Sequence, residues 1–158
     1  MGSRRKGRIL AFQALFAWDT TDKKETALTD LLDFSWAEKK PPVSSCDQTE
    51  GEADSPSAVE DFARLIVTGA VENIEAVDVM IRRHLLNWNF SRLSSVDRAL
   101  LRLGVYELMF QTAPPRVVID EAVDLAREYG TDDSWRFING VLDGVWKTMQ
   151  SAKKENLQ

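Results

Sequence analysis

Apolar positions in this chain recur at three- and four-residue steps, and no stretch shows a convincing two-residue alternation, so the sequence predicts helices. Ile9, Phe12 and Phe16 set one face of a first helix, which ends near Asp19, where Asp19-Thr20-Thr21-Asp22 offers turn and cap chemistry. A short second helix carries Leu28, Leu31 and Leu32 on one side. From Val59, the residues Phe62, Leu65, Ile66, Ala70, Ile74, Val77, Ile81 and Leu85 continue one long amphipathic helix. Gly69 interrupts it without a proline, which predicts a bend or a close helix contact in preference to a stop.

A connector, Asn87 to Ser94, contains Trp88 and Phe90. Beyond it, Val96, Leu100, Leu103 and Phe110 lie on one face of a helix, with Leu101, Val105 and Leu108 on another. Apolar residues on more than one face predict a central, mostly buried helix. Ser94, with Asp97 three residues later, forms a capping arrangement at its start. Ala113-Pro114-Pro115 breaks the helix, because proline lacks a backbone donor and restricts the residue before it. A further helix, about Val117 to Tyr129, buries Val118, Ala122, Leu125 and Ala126, with Gly130 expected as its left-handed stop. Thr131-Asp132-Asp133 is placed to cap a last helix whose stripe is Phe137, Ile138, Val141, Leu142, Val145 and Trp146. In its Phe137-Ile138-Asn139-Gly140 segment, Gly140 is expected to allow close backbone packing and Asn139 to satisfy a buried polar group. The fold class read from this pattern is an all-α bundle of about six helices.

Composition interrupts the pattern once. Lys39 to Ser57 holds Pro41, Pro42, Pro56, several serines and the acids Asp47, Glu50, Glu52 and Asp54, with Val43 its one sizeable aliphatic residue. Such a segment buries too little apolar area to offset its ordering entropy, so residues 39–57 are expected to form a disordered acidic loop. The rest of the 158 residues suffices for one domain, 1–158, with a tail expected to fray over 151–158. Cys46 and His84 are the one cysteine and the one histidine, too few for a disulfide or a structural zinc site. No phosphate loop, nucleotide fingerprint or nucleophilic triad is evident, so neither catalysis nor a cofactor is expected. Leu100 to Phe110, the most apolar stretch, carries Arg102 and Glu107 and is far short of a membrane span. The chain therefore reads as soluble and cytoplasmic.

Charge supplies the functional lead. The net charge is −5, yet Arg4, Arg5, Lys6 and Arg8 crowd the first eight residues, directly before an apolar helical run. If the first helix reaches back to Arg4, three- and four-residue separations place Arg4, Arg5 and Arg8 on one arc, a ridge suited to a phosphate backbone. A solvated basic terminus is the alternative.

Three segments carry a family resemblance. Val96-Asp97-Arg98-Ala99-Leu100-Leu101-Arg102-Leu103-Gly104-Val105-Tyr106-Glu107-Leu108, Ile119-Asp120-Glu121-Ala122-Val123-Asp124-Leu125-Ala126 and Phe137-Ile138-Asn139-Gly140-Val141-Leu142-Asp143 resemble, in order, the NusB family of bacterial transcription antitermination factors. Arg4-Arg5-Lys6 through Gln13-Ala14-Leu15-Phe16-Ala17-Trp18 is similar to that family's arginine-rich first helix. The resemblance implies two packed helical subdomains and binding to boxA-type single-stranded RNA in nascent ribosomal transcripts. It also implies partnership with the small-subunit ribosomal protein NusE, in an RNA polymerase antitermination complex with other Nus factors. By the same resemblance, Arg4, Arg5, Lys6, Arg8, Asp133 and Phe137 meet RNA, whereas Phe16 and Asp97 meet the protein partner. Many family members carry tyrosine where this chain has Phe16, so only the aromatic part of that contact carries over. Two readings stay beside it: a helical interaction module without RNA affinity, and the RNA-binding domain of a ribosomal RNA methyltransferase.

Overall fold

The computed structural model describes residues 2–22, 24–37 and 56–157. Among them the chain forms α1 (Ser3–Thr20), α2 (Lys24–Leu32), α3 (Pro56–Glu72), α4 (Ile74–Arg83), α5 (Ser95–Phe110), α6 (Pro115–Tyr129) and α7 (Ser134–Glu155), with a single 3-10 turn at Phe90–Arg92. Every side chain from Ala99 to Leu108 is buried, because α5 is the helix around which the others pack. On one side α1 packs against α2 and α3; on the other α6 pairs with α7, which also touches α4. All of these except α2 pack substantially against α5. The all-α architecture expected from the periodicity is the one observed.

The long helix expected from Val59 to Leu85 is two. Asn73 separates α3 from α4, and its Nδ2 donates to the Gly69 carbonyl at 2.8 Å, competing for the acceptor of the helical ladder. Gly69 itself makes the expected close contact: a Cβ there would sit 1.8 Å from the Tyr106 hydroxyl oxygen, so α3 and α5 approach only across a glycine. Ser94 caps α5 through its Oγ, which accepts the Asp97 N–H at 3.1 Å.

Other expectations need correction. Gly130 follows α6 in an extended conformation, φ −92° and ψ −170°, so its need is for space: a Cβ would lie 2.6 Å from the Ser134 side chain. Gly140 has nothing within 4 Å of its would-be Cβ, and Asn139 is exposed, so neither serves the packing read from the sequence. Helix α7 continues to Glu155, through most of the tail expected to fray, with exposed side chains from Ser151 onward. Of the expected acidic loop, residues 39–55 and Cys46 lie outside the described residues, while 56–57 open α3. His84 bridges helices: Nδ1 lies 2.9 Å from the Met80 carbonyl and Nε2 2.8 Å from the Thr148 hydroxyl.

Candidate nucleic-acid and partner interface

Burial of charge on α5 decides where the basic terminus goes. Glu107 is 2% exposed, and a carboxylate removed from water requires a cation. Arg8 meets it: Nε lies 3.0 Å from both carboxylate oxygens and Nη2 2.9 Å from one. At 5% exposure, Arg8 is not part of an open ridge. The arc expected through Arg4, Arg5 and Arg8 therefore splits. Arg4 stays exposed, its guanidinium 4.4 Å from the Phe62 ring centroid. Half-buried Arg5 leans toward α6, with Nη1 3.4 Å from Asp124 and 3.9 Å from Glu121. Lys6 is exposed. Arg4 and Arg8 also line a cavity of about 310 Å³, beside Phe62 and Gln111.

Farther along, Asp97, Asp133 and Phe137 come together around a second cavity, of about 250 Å³, with Trp88, Arg92 and Thr131. Asp133 precedes α7 but makes no side-chain cap bond. The Ser134 Oγ instead accepts the Thr131 N–H at 3.0 Å, closing the turn that leads into α7. The Asp133 carboxylate is thus exposed at the cavity with no structural duty at the helix end. Asp97 fills only half of a capping box: Ser94 receives its N–H, while Asp97 Oδ1 is buried without a hydrogen-bond partner. Phe137 is half-buried, its ring centroid 5.8 Å from that of Trp88 at an interplanar angle of 55°.

Phe16 lies outside this lining. It lines an apolar cavity with Phe12, Val96 and Tyr129, and Val96 directly precedes Asp97. Phe12 and Tyr129 contact each other, ring centroids 5.1 Å apart. The fold therefore groups Asp97, Asp133 and Phe137 around one cavity and places Phe16 in another, whose lining residue Val96 precedes Asp97 on α5. Along α1 the cationic terminus begins twelve residues before Phe16, a separation of about 18 Å at 1.5 Å per residue.

A charge network holds this region together. Asp19 accepts from Arg98 Nη2 at 2.7 Å and Arg102 Nη1 at 2.8 Å, and Arg102 turns its other edge to Asp78 at 2.9 and 3.0 Å. Burial alone would raise the Asp19 carboxyl, but the hydrogen bonds and charges of Arg98 and Arg102 outweigh it and hold the carboxyl below its ordinary range. Sequence reasoning noted Arg102 inside an apolar run without finding these partners. It noted Trp88 without giving it a role, and it missed Tyr129, whose only signal was its place at a helix end.

The description "NusB family" belongs to the family model that matches residues 5–147, from the basic terminus into α7. The chain belongs to the NusB family. It is 47% identical, over 143 residues, to the transcription antitermination protein NusB of Treponema denticola, covering 90% of this chain and 94% of that protein. The NusB of Treponema pallidum strain Nichols is 45% identical over 92% of this chain and 93% of its own. Among solved structures, NusB of T. maritima superposes with a TM-score of 0.68 at 36% identity, covering 91% of this chain and 90% of that one. A crystal structure of the antitermination factors NusB and NusE in complex with dsRNA gives 0.69 at 29% identity, covering 92% and 97%. No helix among the described residues is long and apolar enough to cross a membrane.

Proposed function

We propose that this NusB-family chain is a transcription antitermination factor that acts by binding and without catalysis, working in the cytoplasm on nascent ribosomal RNA. It holds boxA-type single-stranded RNA together with ribosomal protein NusE, as part of the RNA polymerase antitermination complex with other Nus factors. The observation that carries the reading is the grouping of Phe137 and Asp133 with Asp97 and, through Val96, with Phe16. The Phe137 cavity thus offers an aromatic ring and a carboxylate to bases, while the Phe16 cavity, with Asp97 next to Val96, offers an apolar patch and a carboxylate to a basic protein. Antitermination activity stands in the names of relatives, and a NusB–NusE–RNA assembly among the similar structures.

The cations divide the work. Exposed Arg4 and Lys6, with half-buried Arg5 beside them, contact phosphates, while Arg8 supports the ridge from within by neutralising Glu107. An acidic chain with so small a cationic surface binds RNA modestly alone, and a docked basic partner adds positive potential. Linkage then requires RNA to strengthen NusE binding by the same factor as NusE strengthens RNA binding.

The test is a titration of boxA-like and scrambled RNA, with and without NusE, at several salt concentrations. Expected are preference for the boxA-like strand, tighter binding in the presence of NusE, and a log–log salt slope that shrinks by roughly 0.7 for each of Arg4 and Lys6 replaced by alanine. Equal affinity for both RNAs under every condition would refute the function and favour a protein-interaction module.

A further inference from the structure

Trp88 is 61% exposed in the connector between α4 and α5, and the contacts described so far give it no role beyond touching Phe137. An indole on the surface contributes little to the core, yet this one is held against a second ring at 5.8 Å and 55°, so the two rings meet as a tilted corner while the indole stays largely exposed. The corner borders the 250 Å³ cavity that Asp97, Asp133 and Arg92 also line. That volume lies below the roughly 300–1,000 Å³ of drug-sized sites, which suits a single flat group.

We propose that Trp88 is a second aromatic stacking face, beside Phe137, in a slot that takes one nucleobase of a single-stranded RNA. The proposal rests on the RNA-binding function above and adds to it a base-stacking residue and a path for the strand. Carboxylates at Asp97 and Asp133 repel phosphate, so the group entering the cavity is the base, whose N–H edge the exposed Asp133 accepts. The sugar–phosphate chain runs outside, beside exposed Arg92. An aromatic platform next to a cation that tracks the backbone is the arrangement by which proteins hold single strands. A basic side chain from a protein partner would also answer two carboxylates and an indole face, but Arg92 in the same lining opposes a second cation.

The full chain is titrated with single-stranded boxA-like RNA, without and with NusE, as wild type, Trp88→Ala and Trp88→Phe, following affinity, salt slope and tryptophan emission. Alanine is expected to weaken binding about 5- to 100-fold, the effect of losing one base stack, with an unchanged salt slope because no phosphate contact is lost. Phenylalanine should restore most of the affinity, and RNA should quench emission in the wild type more than in Trp88→Phe. Wild-type affinity in Trp88→Ala, with intact RNA binding by the wild type, overturns the slot and leaves the function standing. A loss seen only when NusE is present overturns it in favour of a basic side chain as occupant. If the alanine variant melts several degrees early, Trp88→Phe decides: quenching equal to wild type overturns the slot. A wild-type chain that binds no RNA removes the proposed function and the slot with it.

Discussion

Replacing Arg8 by methionine separates a structural arginine from a phosphate-binding one. The guanidinium makes three contacts of 2.9–3.0 Å with Glu107, and the two side chains are 6% and 2% exposed. Removing one member strands a charge that is almost wholly buried, which costs about 3–5 kcal/mol for a buried pair. The cavity of about 310 Å³ that both side chains line is large enough for water and favours the lower end. In a chain of 158 residues each kcal/mol shifts Tm by about 2–4 °C, so Arg8→Met should melt roughly 6–20 °C early. Pairing Arg8→Met with Glu107→Met removes both charges and should recover most of that loss, because apolar replacement of a buried pair is often neutral or stabilising. Urea unfolding of the wild type, both single variants and the double gives the coupling directly. Below its own transition, folded Arg8→Met should keep the RNA salt slope of the wild type. A stability change under about 1 kcal/mol together with a slope reduced by roughly 0.7 would show that Arg8 binds phosphate and that its pairing with Glu107 is incidental.

Two glycines respond oppositely to alanine. At Gly140 nothing obstructs the new methyl group, so the better helix former should add about 0.8–1 kcal/mol and raise Tm; a neutral or lowered Tm contradicts the open face described here. At Gly69 the methyl group meets the Tyr106 hydroxyl, and separating α3 from α5 should cost about 1–3 kcal/mol or more, read by urea unfolding; a stable variant would deny the close approach. Asp19 sets an acid limit: because its folded carboxyl titrates below the unfolded value near 3.8, its contribution is complete above that value and disappears as pH falls through the lower folded one. Unfolding followed from pH 6 to pH 2 should lose less stability in Asp19→Asn than in the wild type, and parallel curves would refute the pairing.

Periodicity disclosed α1, α5, α6 and α7 because each buries a stripe that repeats at helical spacing, and α5 stood out because its apolar residues cover more than one face. The break at Asn73 stayed hidden, since the apolar steps run straight through it and the interruption comes from one side-chain amide bonding to Gly69. The fate of Arg8 was equally hidden: its partner lies 99 residues away, and a local arc of cations does not reveal which of them the interior claims. Local chemistry offered cap and stripe explanations for Asp133 and Phe137, so the RNA-contacting role proposed for them comes only through resemblance. Their meeting with Asp97 and Trp88 depends on α5, α7 and the connector converging, which spacing within one helix does not encode.

The network of Asp19, Arg98, Arg102 and Asp78 bears on how binding free energy is distributed. Asp19 sits three residues beyond Phe16, and Arg98 directly follows Asp97, so these ion pairs fix the sliding register of α1 against α5 at the point where Phe16, Val96 and Asp97 adjoin. Apolar contacts tolerate small shifts along a helix, whereas the fork of Arg102, shared between Asp19 and Asp78, does not. A partner docking there, as proposed, would meet this part of the surface already assembled, with little ordering entropy left to lose. Substitutions on that face should act chiefly on dissociation rates, and loosening the network should reduce affinity for a partner that never touches it.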